Sequence, residues 1–232
     1  MNKLIQRIDV LLSDFMGLAD GMRLEEASLF KSIKPFSAKE VSHALTKLGH
    51  RHAIVGAHAV IHHTEEPRST ADVDVVSENP EHAAHHLASL RRGASVRQHG
   101  GIKVWRVEAP HPTKPGKMVE LADVASPDAT RFHGVLDGAE KTHSGIPVAS
   151  AEHLAAMKYL AYRSKRKSGT VSKWMSDRLD LQNLATAKKL DPVKTARHIV
   201  KMMKTGDDWK LPHDWVHDHT EFTKNGKDFP EP

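Results

Sequence analysis

The sequence predicts an α/β (α+β) fold: a short mixed sheet with helices before it and a helical bundle after it. Three observations predict this. Strand-like stretches are confined to residues 52–124, where "HAIV", "TADVDVV", "GIKVWRVE" and "KMVELADV" stand. Helical spacing of apolar residues dominates on both sides of that region. Too few strands alternate with helices for a doubly wound sheet, so a minimal core with an appended bundle fits best. The expected division is a core with its N-terminal helices over 1–148, a helical subdomain over 149–206, and a polar irregular tail over 207–232.

In order along the chain, Leu4, Ile8, Leu11, Leu12 and Phe15 recur at helical spacing and predict a helix over about 3–18. Ser37-x-x-Glu40 has the form of a capping box and opens a helix that ends near Gly49. "HAIV" is a short strand running into Gly56, and a small Ala/Val/Ile helix covers 57–63. After the loop "TEEPRS", the alternation in "TADVDVV" marks a strand over 70–76. Asn79 and Pro80 start a helix that Gly93 ends. Two strands follow, 101–108 and 117–124, joined by a Pro-rich loop. "GIPVA" is extended, and Ser150 caps the helix "AEHLAAMKYLAYR". Further helices are expected over about 172–189 and from Asp191-Pro192 to before Gly206. Beyond Gly206 the polar chain with isolated Trp209 and Trp215 reads as irregular.

Composition narrows the function classes. There is no cysteine, which excludes disulfides and thiolate metal sites. The apolar runs fall well short of the roughly 18 residues that span a bilayer, and "MNKLIQRIDVLLSDF" carries charge through what would be a signal peptide's apolar region. A cytoplasmic protein without membrane contact is expected. Net charge is +5, yet residues 163–204 alone hold twelve Lys or Arg against three Asp, a local excess of +9. Such a basic half suits a polyanion such as RNA through phosphate neutralisation, and equally a solvated helix surface.

Asp72 and Asp74 raise the chemical question, because they interrupt an apolar strand at positions i and i+2. Residues so spaced project to one side. Like charges that close repel unless a cation lies between them. Hard oxygen donors point to Mg²⁺ or Mn²⁺. Just upstream, the strand-to-helix turn at Gly56 lets backbone N–H groups approach an anion. A phosphate site followed by a divalent-metal site is what a nucleoside triphosphate with its metal requires.

On these residues the chain resembles the DNA polymerase β-like nucleotidyltransferase superfamily. The shared pattern is a strand, Gly-Gly or Gly-Ser, a short helix, then Asp-x-Asp on the next strand. "VGAHAVIHHTEEPRSTADVDVV", with His62 and Arg68-x-Thr70-x-Asp72-x-Asp74, is most similar to the AbiEii-type branch, known as toxins of toxin–antitoxin pairs. A second motif agrees: Lys158 and Arg163 on one helix, then Asp177-x-x-Asp180 on the next. The resemblance covers about residues 52–187. It implies a minimal nucleotidyltransferase core and transfer of a nucleotide from an NTP to an acceptor hydroxyl. The implied acceptor is RNA, a tRNA 3′ end above all, and an antitoxin is the implied protein partner. Asp72 and Asp74 would hold metal, Gly56 and Ala57 would cradle phosphates, and Arg68 would order the loop, pair with Asp74 or meet phosphate. Lys158 would place a positive charge on the triphosphate, and Asp177 or Glu120 would accept the acceptor's proton.

Two positions depart from the pattern. Ala57 lacks the hydroxyl that serine offers. The third carboxylate is either Glu120 or Asp123; alternation puts them on opposite faces, and Glu120, inside the strand, is preferred as the third metal ligand. Independently of the resemblance, Leu154, Met157, Leu160 and Ala161 form an inward stripe beside Lys158, and Asp177 leads the stripe Asp177, Leu181, Leu184. A charge facing inward is paired or employed.

Other readings stay open. A degenerate member of the fold could bind nucleotide or a partner without turnover, which Ala57 favours. An antibiotic-type nucleotidyltransferase is disfavoured by the basic helices, because cationic acceptors want an acidic cleft. His82, His85 and His86, and likewise His213, His217 and His219, lack the spacing of known zinc enzymes and read as surface residues.

Overall fold

The computed structural model describes residues 34–67, 69–99, 103–165, 171–204, 207–226 and 228–229. The helix expected over 3–18 and Arg68 lie outside the described residues. The elements are α1 (Ala38–Lys47), β1 (His52–Ile54), α2 (Gly56–Thr64), β2 (Val73–Ser77), α3 (Pro80–Ser89), β3 (Ser95–Gln98), β4 (Val104–Pro110) and β5 (Met118–Ala125). A 3₁₀ turn (Thr130–Phe132), β6 (Glu140–Lys141), β7 (Pro147–Val148), α4 (Ala151–Lys165), α5 (Val171–Ala187), α6 (Pro192–Met202) and α7 (Leu211–Asn225) complete them. The expected mixed α/β architecture is found.

Local chemistry sets several boundaries. The capping box closes α1: Glu40 N–H donates to Ser37 Oγ at 3.1 Å, and Ser37 N–H to Glu40 Oε2 at 3.0 Å. Asp191 caps α6 by accepting from the N–H of Val193 (2.8 Å) and Lys194 (3.0 Å), with Pro192 at the first position. Asn79 occupies the cap position of α3 without a side-chain bond.

The sheet runs β3-β4-β5-β2-β1-β7-β6. β2 is parallel to β5 and β1 to β7, and the other neighbours are antiparallel. The register pairs Val73 with Ala122, Asp74 with Asp123, and Arg106 with Asp123. Alternation therefore sends Val73, Val75, Ala122, Val124 and Val107 to one face, fully buried against Ala83, Ala84 and Leu87 of α3. Asp74, Asp123 and Arg106 emerge on the other face, over which α4 and α5 close.

Three expectations are corrected. The stretch beyond 206 is not irregular: α7 buries Leu211 and Trp215, whose indole N–H donates to the Pro192 carbonyl at 3.1 Å. Tyr159 donates its hydroxyl to Asp218 at 2.9 Å, and Arg163 bonds Asp214 at 2.9 Å, so α4 and α7 are tied by polar contacts. Residues 95–98, not expected as a strand, form β3 at the sheet edge. Finally, β5 holds a β-bulge. Val107 pairs with Ala122 but Glu108 pairs with Glu120, which leaves Leu121 as an extra residue.

Candidate active site

The strand β1 ends at Ile54, and the N–H of the next residue, Val55, donates to the Asp74 carbonyl at 2.9 Å. The chain then turns through Gly56 at φ +62° into α2. A Cβ at Gly56 would overlap the Asp74 carboxylate, so only glycine lets that side chain lie over the turn. No side chain caps α2. The N–H groups of its first turn have no acceptor within the helix, the arrangement that favours an anion.

Asp123 leaves the neighbouring strand at the paired position, about 4.8 Å away by ordinary strand spacing. Around these two acids lies a cavity of about 440 Å³. Its wall also includes Arg106, Arg131, Lys158 and Asp177. α4 supplies Lys158 between the apolar Leu154 and Ala161, and α5 supplies Asp177 from opposite.

Two ion pairs dominate the electrostatics. Arg106 grips Asp123 with two bonds, Nε to Oδ1 at 3.0 Å and a terminal nitrogen to Oδ2 at 3.1 Å, and also contacts Glu120. The hydrogen bonds it donates to Asp123, outweighing partial burial, raise the Arg106 guanidinium further above its ordinary value. Lys158 Nζ lies 3.0 Å from Asp177 Oδ1 and 2.7 Å from Asp180 Oδ2. Burial works to lower the Lys158 pKa, but the two carboxylates outweigh it and the net shift is upward. Lys158 is thus a fixed, fully protonated cation.

The structure gathers Gly56, Asp74, Lys158 and Asp177 on one wall. It leaves Asp72 off that wall. The β2 ladder begins only at Val73, and the Asp72 carboxylate accepts from the Thr70 hydroxyl at 3.2 Å and lies beside His58. Burial pushes the His58 imidazole below its ordinary range, against the pull of Asp72. Glu120, preferred over Asp123 from the sequence, is also off the wall and half exposed, whereas Asp123 stands on it. The supposed opposition of faces fails too: the bulge at Leu121 reverses the alternation, so Glu120 and Asp123 share a face and share Arg106. Arg163 turns away to α7, and Ala57 is buried within α2. Arg106, Arg131 and His99 were not anticipated. Arg106 was legible in principle, since alternation in "VWRVE" places it on the face opposite Trp105 and Val107.

Whether these residues suit a divalent ion turns on the donor set. Among the described residues no three His, Asp or Glu side chains converge on one point. Two paired carboxylates beside an open helix N-terminus do fit Mg²⁺, which commonly takes one or two carboxylates and completes its shell with water and substrate phosphate.

No family model and no curated protein matches the chain. Among solved structures it is similar to an antigenic nucleotidyltransferase-like protein from Paracoccidioides brasiliensis, at 17% identity and TM-score 0.43 over 77% of this chain and 94% of that one. It is similar to the antibiotic-resistance factor ANT(2'')-Ia at 12% identity and TM-score 0.47, over 69% of this chain and 85% of that one. The Megavirus polyadenylate synthase matches at 11% identity and TM-score 0.47, over 82% of this chain and 39% of that one. What this chain does is read from its own site.

Proposed function

We propose that the protein is a metal-dependent nucleotidyltransferase that moves a nucleotide from an NTP to an acceptor hydroxyl. The observation that carries this reading is the pairing of Asp74 with Asp123 beside the glycine turn and open N-terminus of α2, inside a cavity that also holds Lys158 and Asp177. Asp74 and Asp123 would hold Mg²⁺, which supplies neutralisation of the triphosphate and of the charge on entering and leaving oxygens. The first-turn N–H groups of α2 receive the outer phosphates. Lys158, held by Asp177 and Asp180, offers a cation that cannot drift from its position. Asp177 is the carboxylate on the wall able to take the acceptor's proton once that hydroxyl comes within about 3 Å.

An RNA acceptor, a tRNA 3′ end in particular, agrees with the +9 segment at 163–204 and with the resemblance to AbiEii-type toxins. An antitoxin partner follows from the same resemblance. Incubating total RNA with each labelled NTP tests the activity. Label is expected in RNA with the wild-type protein and not with Asp74→Ala; equal label from both would reject the mechanism.

A binding-only role has its own support, because Arg106 holds both oxygens of Asp123 and Ala57 has no hydroxyl. Melting with NTP and Mg²⁺ separates the two readings: stabilisation without incorporation favours the binder.

A further inference from the structure

A second cavity, about 260 Å³, opens beside the first. Val104, Arg131 and Phe132 belong to both walls, so the two spaces meet across these side chains. The rest of its wall carries Lys103, Lys204 and Asp128. Lys103 and Asp128 lie 3.6 Å apart with both side chains mostly in water, a pairing too weak to withhold Lys103 from another anion. Arg131 is anchored from behind, donating to the Met202 carbonyl at 3.3 Å and to Asp207 at 3.2 Å. The groove is therefore lined by three cations and one acid.

Just past Asp207 stands Trp209, with 71% of its surface exposed and the Lys210 ammonium 5.8 Å from its ring centre. An indole of this size gains by burial, and the protein's other described tryptophan in this region, Trp215, is fully buried. Asp207 fixes the segment by accepting from the Lys204 N–H at 2.7 Å as well as from Arg131, so Trp209 is held within two residues of the groove. Cations lining a groove, with an exposed aromatic ring two residues along the chain from the aspartate that anchors one of them, form the combination that binds single-stranded nucleic acid: phosphates along the cations, a base on the ring.

We propose that this groove, from the catalytic cavity past Arg131 and Lys204 to Trp209, seats a single-stranded polynucleotide whose terminal hydroxyl enters the cavity. The proposal rests on the nucleotidyltransferase reading only for the direction of the strand. Recognition is by backbone charge and stacking, so it tolerates many sequences.

The test uses the full chain and a fluorescein-labelled single-stranded RNA of about 12 nucleotides, near the upper end of such site sizes. Anisotropy is followed against salt, beside binding of a fluorescent ATP analogue with Mg²⁺. Trp209→Ala is expected to weaken RNA binding roughly 5- to 150-fold, the loss of one stacked base, with Trp209→Phe recovering most of it. Lys103→Ala with Lys204→Ala is expected to lower the salt slope by about 1.4. ATP-analogue binding should stay at the wild-type level in all three. Wild-type RNA affinity in Trp209→Ala, or preference for a duplex or an acidic peptide over the single strand, would overturn the proposal. Equal binding of the matching DNA strand supports it and assigns the groove to either sugar. If RNA binds through Trp209 while no NTP-dependent transfer occurs, the groove stands and the transferase reading falls.

Discussion

Replacing Lys158 by Met removes the cation that Asp177 and Asp180 share. Those carboxylates are 7% and 3% exposed, and bonds of 3.0 and 2.7 Å to one nitrogen keep the bonded oxygens within about 6 Å of each other. At an effective dielectric near 20, two such charges repel by about 3 kcal/mol. Removal of one member of a buried ion pair costs about 3–5 kcal/mol, in line with that figure. For a chain of this length the loss corresponds to a drop in melting temperature of roughly 6–20 °C. Circular dichroism melts at neutral pH measure it. Adding Asp180→Asn to Lys158→Met relieves the repulsion, so the double variant should melt above the single one, a coupling that a double-mutant cycle isolates. A single variant within about 2 °C of wild type, or a double variant less stable than the single, would refute the reasoning.

Gly56→Ala forces a side chain into left-handed backbone and against the Asp74 carboxylate; a loss of about 1–3 kcal/mol and weakened Mg²⁺-dependent nucleotide binding are expected, read by melting and by titration with a fluorescent ATP analogue. Trp215→Ala should cost about 3–5 kcal/mol, because a fully buried indole and its bond to Pro192 are both lost; urea unfolding checks it. Burial, reinforced by His198, Lys194 and Lys201 and opposed by Asp137, pushes the His153 imidazole down to about 4. Its folded value lies below the unfolded one, so the folded chain resists protonation. Stability from this residue is complete above about pH 6.5 and declines as pH falls toward 4, by at most about 3 kcal/mol; in His153→Gln the acid limb of the stability curve should flatten.

The elements that could be read from sequence were those whose signals are local. Ser37 and Glu40 meet within three residues, Asp191 and Pro192 sit side by side, and Val73 and Val75 alternate. The polar strand "SVRQ" carries no apolar alternation because it lies at the sheet edge with little to bury, so β3 was not visible. α7 escaped for a related reason: its inward face mixes Leu211 and Trp215 with Asp218 and His219, and Asp218 is made buriable by Tyr159 of α4, a partner that no local window contains. In the candidate site, Asp74, Lys158, Asp177 and Gly56 are legible from sequence because each lies on a stripe or turn of its own. Asp123 was passed over in favour of Glu120 because choosing between them requires the register of β5 against both β2 and β4, a long-range property.

The surplus residue at Leu121 separates β5 into two stretches that obey different rules. Downstream, where Ala122 begins the ladder with β2, Asp123 is locked opposite Asp74 and neither can shift without the other. Upstream, Met118 to Glu120 keep step only with β4, and they reach the acidic couple only through the Arg106 that Glu120 shares with Asp123. Deleting Leu121 would leave each remaining pair in register and each side chain on its present face, and would remove only the kink. The two stretches therefore meet at a single peptide unit.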